Sequence, residues 1–183
     1  KYKIIFYVSN IIKIKMFLAG YNIQIIIFDW GNTLMVDFPF YNGPMAYWPK
    51  VELMPGVEKV LEYLYIRIPL CVATNAGYSN TLLMRKALNR CNIEKYFTFF
   101  FSSDDAGGIK KPDPQFFFSL SKYIGIKPSF CLMIGNDYEK DIIGAKRIGI
   151  KTFFYNYELK QGNFVAADKV FHNYNELLDF FKQ

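Results

Sequence analysis

From residue 23 onward, short apolar runs alternate with amphipathic segments, and polar or glycine-bearing turns separate the two. This alternation is typical of successive βα units, in which helices join parallel strands. The largely apolar character of the runs suits strands that are covered on both faces. The sequence therefore predicts an α/β fold with a doubly wound parallel sheet. The predicted strands are Ile23–Phe28, Leu70–Ala73, Phe97–Ser102, Phe130–Ile134, Lys151–Tyr155 and a short Lys169–Phe171.

The amphipathic segments between these runs predict five helices with recognisable ends. Pro55 precedes the first helix, Asp113 caps the third, and Gly149 ends the fourth. The predicted helices are Gly56–Leu64, Asn80–Asn89, Pro114–Ile124, Lys140–Ile148 and Asn175–Phe181. A chain of 183 residues has room for one domain of ordinary size. We predict a single domain over residues 23–183 and an N-terminal extension over residues 1–22; whether residues 1–15 belong to the native protein stays open.

The net charge is concentrated at the start of the chain. The 22 Lys and Arg residues exceed the 16 Asp and Glu residues by +6, a balance that would suggest an anionic partner such as nucleic acid. Four of the lysines lie within residues 1–15, ahead of the first acidic residue, Asp29. The rest of the chain is nearly neutral and has no basic stripe with interleaved aromatic residues. We therefore expect no nucleic-acid partner.

Residue usage also bears on the compartment. The uncharged stretches Ile4–Ile12 and Met16–Phe28 are shorter than the roughly 18 apolar residues of a membrane-spanning helix, so we expect no membrane partner. Cys71, Cys91 and Cys131 are odd in number and lack the spacing of a zinc site. This pattern favours free thiols in a cytoplasmic protein. The single histidine argues against a catalytic or metal site built from histidines.

Polar side chains gather just after the predicted strands. The residues concerned, in chain order over four strand ends, are Asp29, Thr74, Asn75, Lys111, Asn136, Asp137 and Asp141. In a doubly wound sheet, ligands bind outside the carboxyl ends of the strands. The sequence therefore predicts one polar ligand site to which four strand ends contribute.

Each of these positions suits a particular chemistry. Asp29 ends an apolar strand and enters a glycine turn, which fits a carboxylate nucleophile, a metal ligand or a turn cap. Gly31 lets the backbone approach a ligand closely, and Thr33 can orient the turn. The hydroxyl of Thr74 and the N–H groups after it can bind a phosphate oxygen. Lys111, in a turn stiffened by prolines, can neutralise an anion or can simply be solvated.

The polar run after the fourth strand supplies oxygen atoms. Asn136, Asp137 and Asp141 offer the ligand type that Mg²⁺ prefers. Acidic residues at the start of a helix also stabilise its dipole, so plain capping is the competing interpretation.

Taken together and in this order, the four motifs, spread over about residues 23–155, resemble those of the haloacid-dehalogenase superfamily. The resemblance implies a doubly wound α/β core and a phosphatase-type hydrolase in which Asp29 forms an aspartyl-phosphate. Thr74 and Lys111 match the residues that bind the transferring phosphoryl group, with Asn75 beside them, and Asp141 matches an acid that holds Mg²⁺. The implied magnesium site comprises Asp29, Gly31, Asn136, Asp137 and Asp141.

Two positions depart from the pattern of the family. Gly31 stands where the phosphatases of the family carry a second Asp, which acts as general acid and base. Lack of this group would lower the rate about 10²–10⁴-fold for poor leaving groups but little for aryl or acyl phosphates. Asn136 replaces the first acid of the fourth motif, and its amide oxygen can contact Mg²⁺ with less charge. We therefore expect weaker electrostatic activation than in a phosphatase that has all the acidic residues of the family motifs, unless Asp137 or Asn32 compensates.

The intervals between the motifs are short. Only 44 residues separate Asp29 from Thr74, and only 36 separate Thr74 from Lys111. Neither interval can hold a full cap domain, so the resemblance implies a capless or minimal-cap member with a phosphorylated small molecule or macromolecule as its partner. The aromatic segment Phe38–Trp48 is either a flap beside the site or a loop packed on the core. Whether the protein is a monomer or a homo-oligomer stays open.

Three functions are compatible with these residues. The leading hypothesis is a Mg²⁺-dependent phosphatase that acts on a phosphate monoester or an acyl phosphate. The alternative, motivated by Gly31 and Asn136, is a catalytically weakened relative that binds phosphorylated ligands or a protein partner. The third is carbon–halogen or carbon–phosphorus cleavage. Retention of Asp141 argues against dehalogenation, which needs no metal, and phosphonate cleavage would need a lysine from a cap that is absent.

Overall fold

The computed structural model describes residues 16–18, 21–75 and 77–183, and only the backbone of residues 16–18. Six parallel strands form the central sheet, in the order β5-β4-β3-β6-β7-β8, and β1 and β2 form an antiparallel pair. The strands are β1 Met16–Leu18, β2 Tyr21–Ile23, β3 Ile25–Phe28, β4 Leu70–Thr74, β5 Phe99–Ser102, β6 Cys131–Gly135, β7 Lys151–Tyr155 and β8 Lys169–Phe171. The predicted α/β fold with a doubly wound parallel sheet is confirmed.

Helices connect the strands on both sides of the sheet. They are α1 Val57–Leu64, α2 Thr81–Arg90, α3 Pro114–Ile124, α4 Gly144–Lys146 and α5 Tyr174–Phe181, with single 3₁₀ turns at Met45–Tyr47, Glu94–Tyr96 and Pro128–Phe130. The predicted cap at Asp113 is confirmed, because its Oδ1 accepts a hydrogen bond from Gln115 N at 2.8 Å. Asn80, predicted as the first residue of a helix, instead caps α2 by accepting from Leu83 N at 3.0 Å.

The fourth predicted helix is wrong in its bounds and its winding. We expected a regular helix over Lys140–Ile148, but the helical backbone starts at Tyr138 and is π-helical as far as Ile143 before α4 begins. The wider winding carries Asp141 into the interior, where it is 1% exposed. Such π-helical turns are rare and are frequent at functional sites.

The first predicted strand is divided in two. A bend at Gln24 separates β2 from β3, and the Gln24 N–H donates to the Phe130 carbonyl at 2.8 Å. Tyr21 packs edge-on against Phe153, with 6.4 Å between the ring centroids. Most of the predicted N-terminal extension, residues 1–15, 19 and 20, lies outside the described residues, so that domain boundary stays a prediction.

The sheet separates two apolar layers. Along β3, Ile26 and Phe28 face the layer that contains α1, α2 and α5, while Ile25 and Ile27 face the layer that contains α3 and α4. All four side chains have no exposed surface. Burial on both faces is what a parallel strand requires, and each such side chain contributes about 1.5–3 kcal/mol relative to an exposed one.

Strand order places the candidate site. The chain leaves β3 for β4 and β5 on one side and then returns to β6 on the other, so the order reverses beside β3. At such a switch point the loops diverge and leave a crevice at the carboxyl ends of the strands. Asp29 and Asn136 directly follow β3 and β6, so both lie at this crevice.

The connections that flank the crevice are short. Residues 29–69 contain a loop, the 3₁₀ turn Met45–Tyr47 and α1, and the described residues between β4 and β5 contain α2 and the turn Glu94–Tyr96. The described part of the chain thus has no full cap domain, as predicted. Cys71, Cys91 and Cys131 are free thiols, also as predicted. No described helix has the length and apolarity needed to cross a membrane.

Candidate active site

Asp29 is fixed at the end of β3 by both its neighbours in the sheet and its own side chain. Its N–H donates to the Ile134 carbonyl at 2.9 Å, which continues the pairing of β3 with β6. The side chain is 12% exposed and lines a cavity of about 300 Å³. A strand therefore holds this carboxylate rigidly while leaving part of it open to a ligand.

The turn after Asp29 is closed by hydrogen bonds within itself, and it is buried from Thr33 to Met35. The N–H groups of Thr33, Leu34 and Met35 all point to the Trp30 carbonyl, at 3.4, 2.8 and 3.1 Å. Thr33 has no exposed surface, and its hydroxyl lies 3.3 Å from Asp29 Oδ2 and 2.9 Å from Asn136 Oδ1. The role foreseen for Thr33, orientation of the turn, extends to linking the two strand ends.

Lys111 joins two acidic residues at the base of the cavity. Its Nζ lies 2.6 Å from Asp29 Oδ1, 2.6 Å from Asp141 Oδ1 and 3.1 Å from the Ala73 carbonyl oxygen. These three acceptors match the three donors of an ammonium group. The side chains of Lys111 and Asp141 are 2% and 1% exposed, so this is a buried ion-pair network and not a solvated turn.

Burial and charge act in opposite directions on this network. Burial lowers the pKa of the Lys111 ammonium, but the charges and hydrogen bonds of Asp141 and Asp29 outweigh it and raise that pKa above its ordinary value. Burial raises the pKa of Asp141 to about 7, because the effects of Lys111 only partly offset burial and the Asp29 charge adds to it. The network therefore keeps Lys111 cationic.

Asn75 supports Lys111 from the side. Its Oδ1 accepts from the Lys111 N–H at 2.7 Å, and its Nδ2 donates to the Lys111 carbonyl at 3.0 Å. The side-chain amide of Asn75 is thus engaged by the backbone of Lys111, and its phosphate-binding role stays a prediction. Thr74, 7% exposed, lines the cavity together with Lys111, as the sequence predicted.

Gly135 makes room for Asp141. A Cβ atom at this position would lie 2.2 Å from Asp141 Oδ2, a distance that real Cβ atoms do not show. The same oxygen accepts the Asp137 N–H at 3.0 Å. The requirement for glycine at the end of β6 was not foreseen from the sequence, although its signal, a glycine between an apolar strand and a polar run, was present.

Asp137 takes the capping role that the sequence left open. Its Oδ1 accepts from the Lys140 N–H at 2.9 Å, and its Oδ2 pairs with Lys140 Nζ at 2.6 Å. Burial raises the pKa of Asp137, but its bonds to Lys140 prevail and lower it below its ordinary value. Asp137 lines the cavity, yet both of its carboxylate oxygens are engaged by Lys140 in this conformation.

Oxygen donors for a hard cation are present at the cavity. They come from Asp29, Asn136 and Asp141, and the described residues contain no group of three His, Cys, Asp or Glu side chains arranged around a metal. Four Asp and two Lys side chains line the cavity, so its charge is negative when all are ionised. This donor set and charge fit Mg²⁺, which accepts carboxylate and amide oxygens and keeps several waters.

Asp37 is a cavity residue that sequence reasoning missed. Its side chain lines the same cavity as Asp29, Thr74 and Lys111, and its N–H donates to Asn32 Oδ1 at 2.8 Å. Burial, and next the charge of Asp29, raise the pKa of Asp37. Only its position directly before the aromatic segment Phe38–Trp48, which contains no acidic residue, could have drawn attention to it.

The aromatic loop Phe38–Trp48 is both packed on the core and beside the site. Trp48 is buried, and Arg90 from α2 donates to its carbonyl at 2.6 Å, while Phe40 is 68% exposed. The loop forms one wall of a second cavity of about 320 Å³, which meets the first at Gly31, Asp37 and Thr74. The residues that line this aromatic cleft include Trp30, Phe38, Tyr41, Met45, Trp48 and Tyr78.

The family model for haloacid dehalogenase-like hydrolases matches residues 26–155. The chain is 30% identical over 135 residues to a glyceraldehyde 3-phosphate phosphatase of Pyrococcus furiosus, over 74% of this chain and 52% of that protein. It is 25% identical over 140 residues to a ribulose-1,5-bisphosphate 5-phosphatase of Halopiger xanaduensis, over 76% of this chain and 56% of that protein. The chain thus spans about half the length of these curated relatives.

A solved structure shares the fold at lower identity. A protein from Listeria monocytogenes serotype 4b superimposes with a TM-score of 0.75 at 24% identity, over 86% of this chain and 96% of that one. The matched range of the family model contains every strand end that lines the cavity, from Asp29 to Asp141. The chain belongs to the haloacid dehalogenase-like hydrolase family.

Proposed function

We propose that the protein is a phosphatase that hydrolyses a phosphate monoester or an acyl phosphate through an aspartyl-phosphate on Asp29. The observation that carries this proposal is that the two oxygens of the Asp29 carboxylate have different partners. One oxygen is held by the buried Lys111 ammonium at 2.6 Å, and the other lies 3.3 Å from the hydroxyl of the fully buried Thr33, while the Asp29 side chain itself lines the cavity. A carboxylate so oriented can attack phosphorus in line while a cation stays within reach of the phosphoryl oxygens.

The reaction takes two displacements. Asp29 attacks phosphorus, the bond from phosphorus to the ester oxygen breaks, and the alcohol leaves after taking up a proton. Water then attacks phosphorus, the bond to Asp29 breaks, and inorganic phosphate is released. Lys111 and the hydroxyl of Thr74 stabilise charge on the equatorial oxygens in both displacements, as fixed donors do in phosphoryl transfer.

A divalent cation belongs to this proposal on electrostatic grounds. The acidic residues outnumber the lysines around the cavity, so a dianionic phosphate would meet net repulsion. Asp29, Asn136 and Asp141 would hold Mg²⁺, with the Gly31 carbonyl and Asp137 as the further positions that the sequence predicts. Bound Mg²⁺ would supply charge neutralisation for the transferring group.

The names of the relatives support the reaction class more than the substrate. The two relatives described above are named as phosphatases of glyceraldehyde 3-phosphate and ribulose-1,5-bisphosphate. In this chain, an aromatic cleft lies next to the cavity. The cleft is lined by one charged side chain, Asp37, and by no cation among the described residues. A leaving group with an apolar or aromatic surface fits this lining better than one that carries a carboxylate.

The direct test is turnover by the purified chain at saturating Mg²⁺, with 4-nitrophenyl phosphate and acetyl phosphate as substrates. We expect both to be hydrolysed, and we expect Asp29→Asn to abolish the activity while thermal unfolding shows that the variant is folded. Beryllium fluoride should bind the wild type and not the variant, because it mimics the phosphoryl group on the carboxylate. Equal, background-level turnover by both proteins would contradict the proposal.

A second candidate function is favoured by one observation. Gly31 and Asn136 remove a carboxylate from two family positions, which would leave a cradle that binds phosphorylated ligands without rapid turnover. Binding without hydrolysis predicts that inorganic phosphate with Mg²⁺ binds the wild type, and that the double variant Asp29→Ala with Lys111→Ala loses this binding. Unchanged affinity in the double variant would exclude this function.

A further inference from the structure

The position left empty by Gly31 is filled from another part of the chain. An ideal Cβ atom on Gly31 would lie 3.3 Å from Asp37 Oδ2 and 3.5 Å from Asp37 Cβ. The Asp37 carboxylate therefore lies where a side chain at position 31 would extend. Both residues line the cavity that contains Asp29 and Thr74.

Backbone pairing holds Asp37 in this place. Met35 forms β-bridges with Gly31 on one side and Leu53 on the other, and the N–H of Val36 donates to the Glu52 carbonyl at 2.9 Å. Asn32 completes the turn, accepting the Asp37 N–H at 2.8 Å. The loop that presents Asp37 is thus tied at both edges, so the proximity to Gly31 is a property of the fold.

The Asp37 carboxylate has no structural task of its own. Within the described part of the chain, no hydrogen bond or ion pair engages its oxygens, whereas Asp137 and Asp141 are both engaged. A side chain with free oxygens at the meeting point of the cavity and the aromatic cleft can reach a leaving group in the cleft. This is the location in which a proton donor to the leaving group is needed.

We propose that Asp37 is the general acid and base of this protein, taking the place of the carboxylate that Gly31 lacks. This inference rests on the proposed phosphatase function. In the first displacement, Asp37 as the carboxylic acid gives its proton to the ester oxygen while the bond to phosphorus breaks. In the second, the Asp37 carboxylate takes a proton from water while the water oxygen attacks phosphorus and the bond to Asp29 breaks. Inorganic phosphate leaves and Asp37 is again protonated.

The test compares leaving groups in the variant Asp37→Asn, assayed with Mg²⁺. We expect phenyl phosphate, whose leaving group needs a proton, to lose about 10²-fold or more in rate of phosphoryl transfer. We expect 4-nitrophenyl phosphate, whose leaving group does not, to keep its first turnover, after which the phosphoenzyme accumulates because water lacks its base. Asp179→Asn, on the exposed surface of α5, is the matched control and should resemble the wild type.

A rescue variant separates catalysis from structure. The double variant Asp37→Ala with Gly31→Asp moves the carboxylate to position 31, where the backbone is not left-handed and the remaining Cβ of residue 37 is at an ordinary 3.5 Å. Its rate of phosphoryl transfer should be at least tenfold higher than that of Asp37→Ala alone. Equal losses for both leaving groups, or no rescue, would overturn the role of Asp37 and leave the phosphatase proposal intact. If Asp29→Asn and the wild type are equally inactive, both proposals are wrong.

Discussion

The side-chain amide of Asn75 forms two hydrogen bonds with the backbone of Lys111. Oδ1 accepts from the Lys111 N–H at 2.7 Å and Nδ2 donates to the Lys111 carbonyl at 3.0 Å, across 36 residues of sequence. The amide thereby reproduces the two-bond pairing of neighbouring strands at a point where no strand is present. It joins the end of β4 to the turn that carries the buried cation of the site.

Replacing Asn75 should therefore disturb Lys111 more than it disturbs the fold. In Asn75→Asp, an acceptor faces the Lys111 carbonyl in place of a donor, which we expect to lower the free energy of unfolding by about 1–3 kcal/mol. Phosphoryl transfer should fall at least tenfold, because the ammonium moves from its acceptors. Urea denaturation and turnover of 4-nitrophenyl phosphate measure the two effects, with Asn163→Asp, on an exposed loop, as the control. Wild-type values in both assays would contradict this role of Asn75.

Removal of the Lys111 charge should destabilise the protein strongly. Lys111→Met leaves Asp29 and Asp141 facing each other without a cation, and an uncompensated buried charge costs about 3–5 kcal/mol. The neighbouring Lys110→Met, at an exposed position, should change stability by less than about 0.5 kcal/mol. Urea denaturation at pH 7 compares the two variants. Adding Asp141→Asn to Lys111→Met should restore part of the loss; no restoration would show that the network is not the cause.

The proposed metal site predicts a gain of affinity from a single change. Asn136→Asp adds a carboxylate beside Thr33 and Asp29, and more ligand charge tightens divalent-cation binding, by about tenfold or more. Calorimetric titration with MgCl₂ measures this, with Asn163→Asp as a control for charge alone. In the wild type, Mg²⁺ at a hundredfold excess over its Kd should raise the free energy of unfolding by about 2.7 kcal/mol. An unchanged Kd in Asn136→Asp would place the cation elsewhere.

The sequence was sufficient for the features that local pattern encodes. Strand ends, the cap at Asp113 and the convergence of Asp29, Thr74, Lys111 and Asp141 follow from the alternation of apolar and polar segments, because parallel strands bring their carboxyl ends to one edge. These residues line one cavity in the structure.

Contacts made by loops were beyond the reach of that pattern. Asp37 reaches Gly31 only because Met35 pairs with both Gly31 and Leu53, and nothing in the periodicity of residues 31–53 predicts those bridges. Likewise, the side chain of Asn75 finds its partner in a distant turn, and the π-helical winding around the buried Asp141 departs from the regular helix that the amphipathic pattern predicts. Local propensity determines which segments form helices and strands. The partners of these side chains depend instead on where the helices, strands and loops meet in the folded structure.

The aromatic cleft predicts a selective effect on aryl substrates. Tyr41 lines the cleft and its ring packs against Trp48, with 5.5 Å between the centroids. Tyr41→Ala should raise the KM for 4-nitrophenyl phosphate about three- to tenfold, because an aromatic contact is worth about 0.5–1.5 kcal/mol. The KM for acetyl phosphate and both kcat values should stay unchanged, since the contact lies on the leaving group. Tyr65→Ala, whose ring packs on Tyr96, is the control; equal effects on both substrates would mean that the cleft does not bind the leaving group.

The ion pairs of Asp168, an acidic residue away from the site, predict that the stability of the protein depends on pH. The Asp168 carboxylate pairs with Lys146 Nζ at 2.7 Å and with Lys151 Nζ at 3.3 Å, and it accepts the Thr152 N–H at 2.9 Å. Burial raises the pKa of Asp168, but these partners prevail and lower it below its ordinary value. A carboxyl whose pKa is lower in the folded state stabilises that state above its unfolded pKa, and the contribution is lost as the pH falls through the folded pKa.

Asp168→Asn should consequently lower the free energy of unfolding at pH 7, by an amount on the order of 1 kcal/mol. The difference from the wild type should shrink as the pH falls below about 4, because the wild-type carboxyl then takes up a proton in both states. Urea denaturation of both proteins over a series of pH values measures this. Asp179→Asn is the control, since no ion pair engages Asp179 in the described residues. A difference that persists undiminished at the lowest pH at which both proteins are folded would assign the effect to lost packing and not to the charge of Asp168.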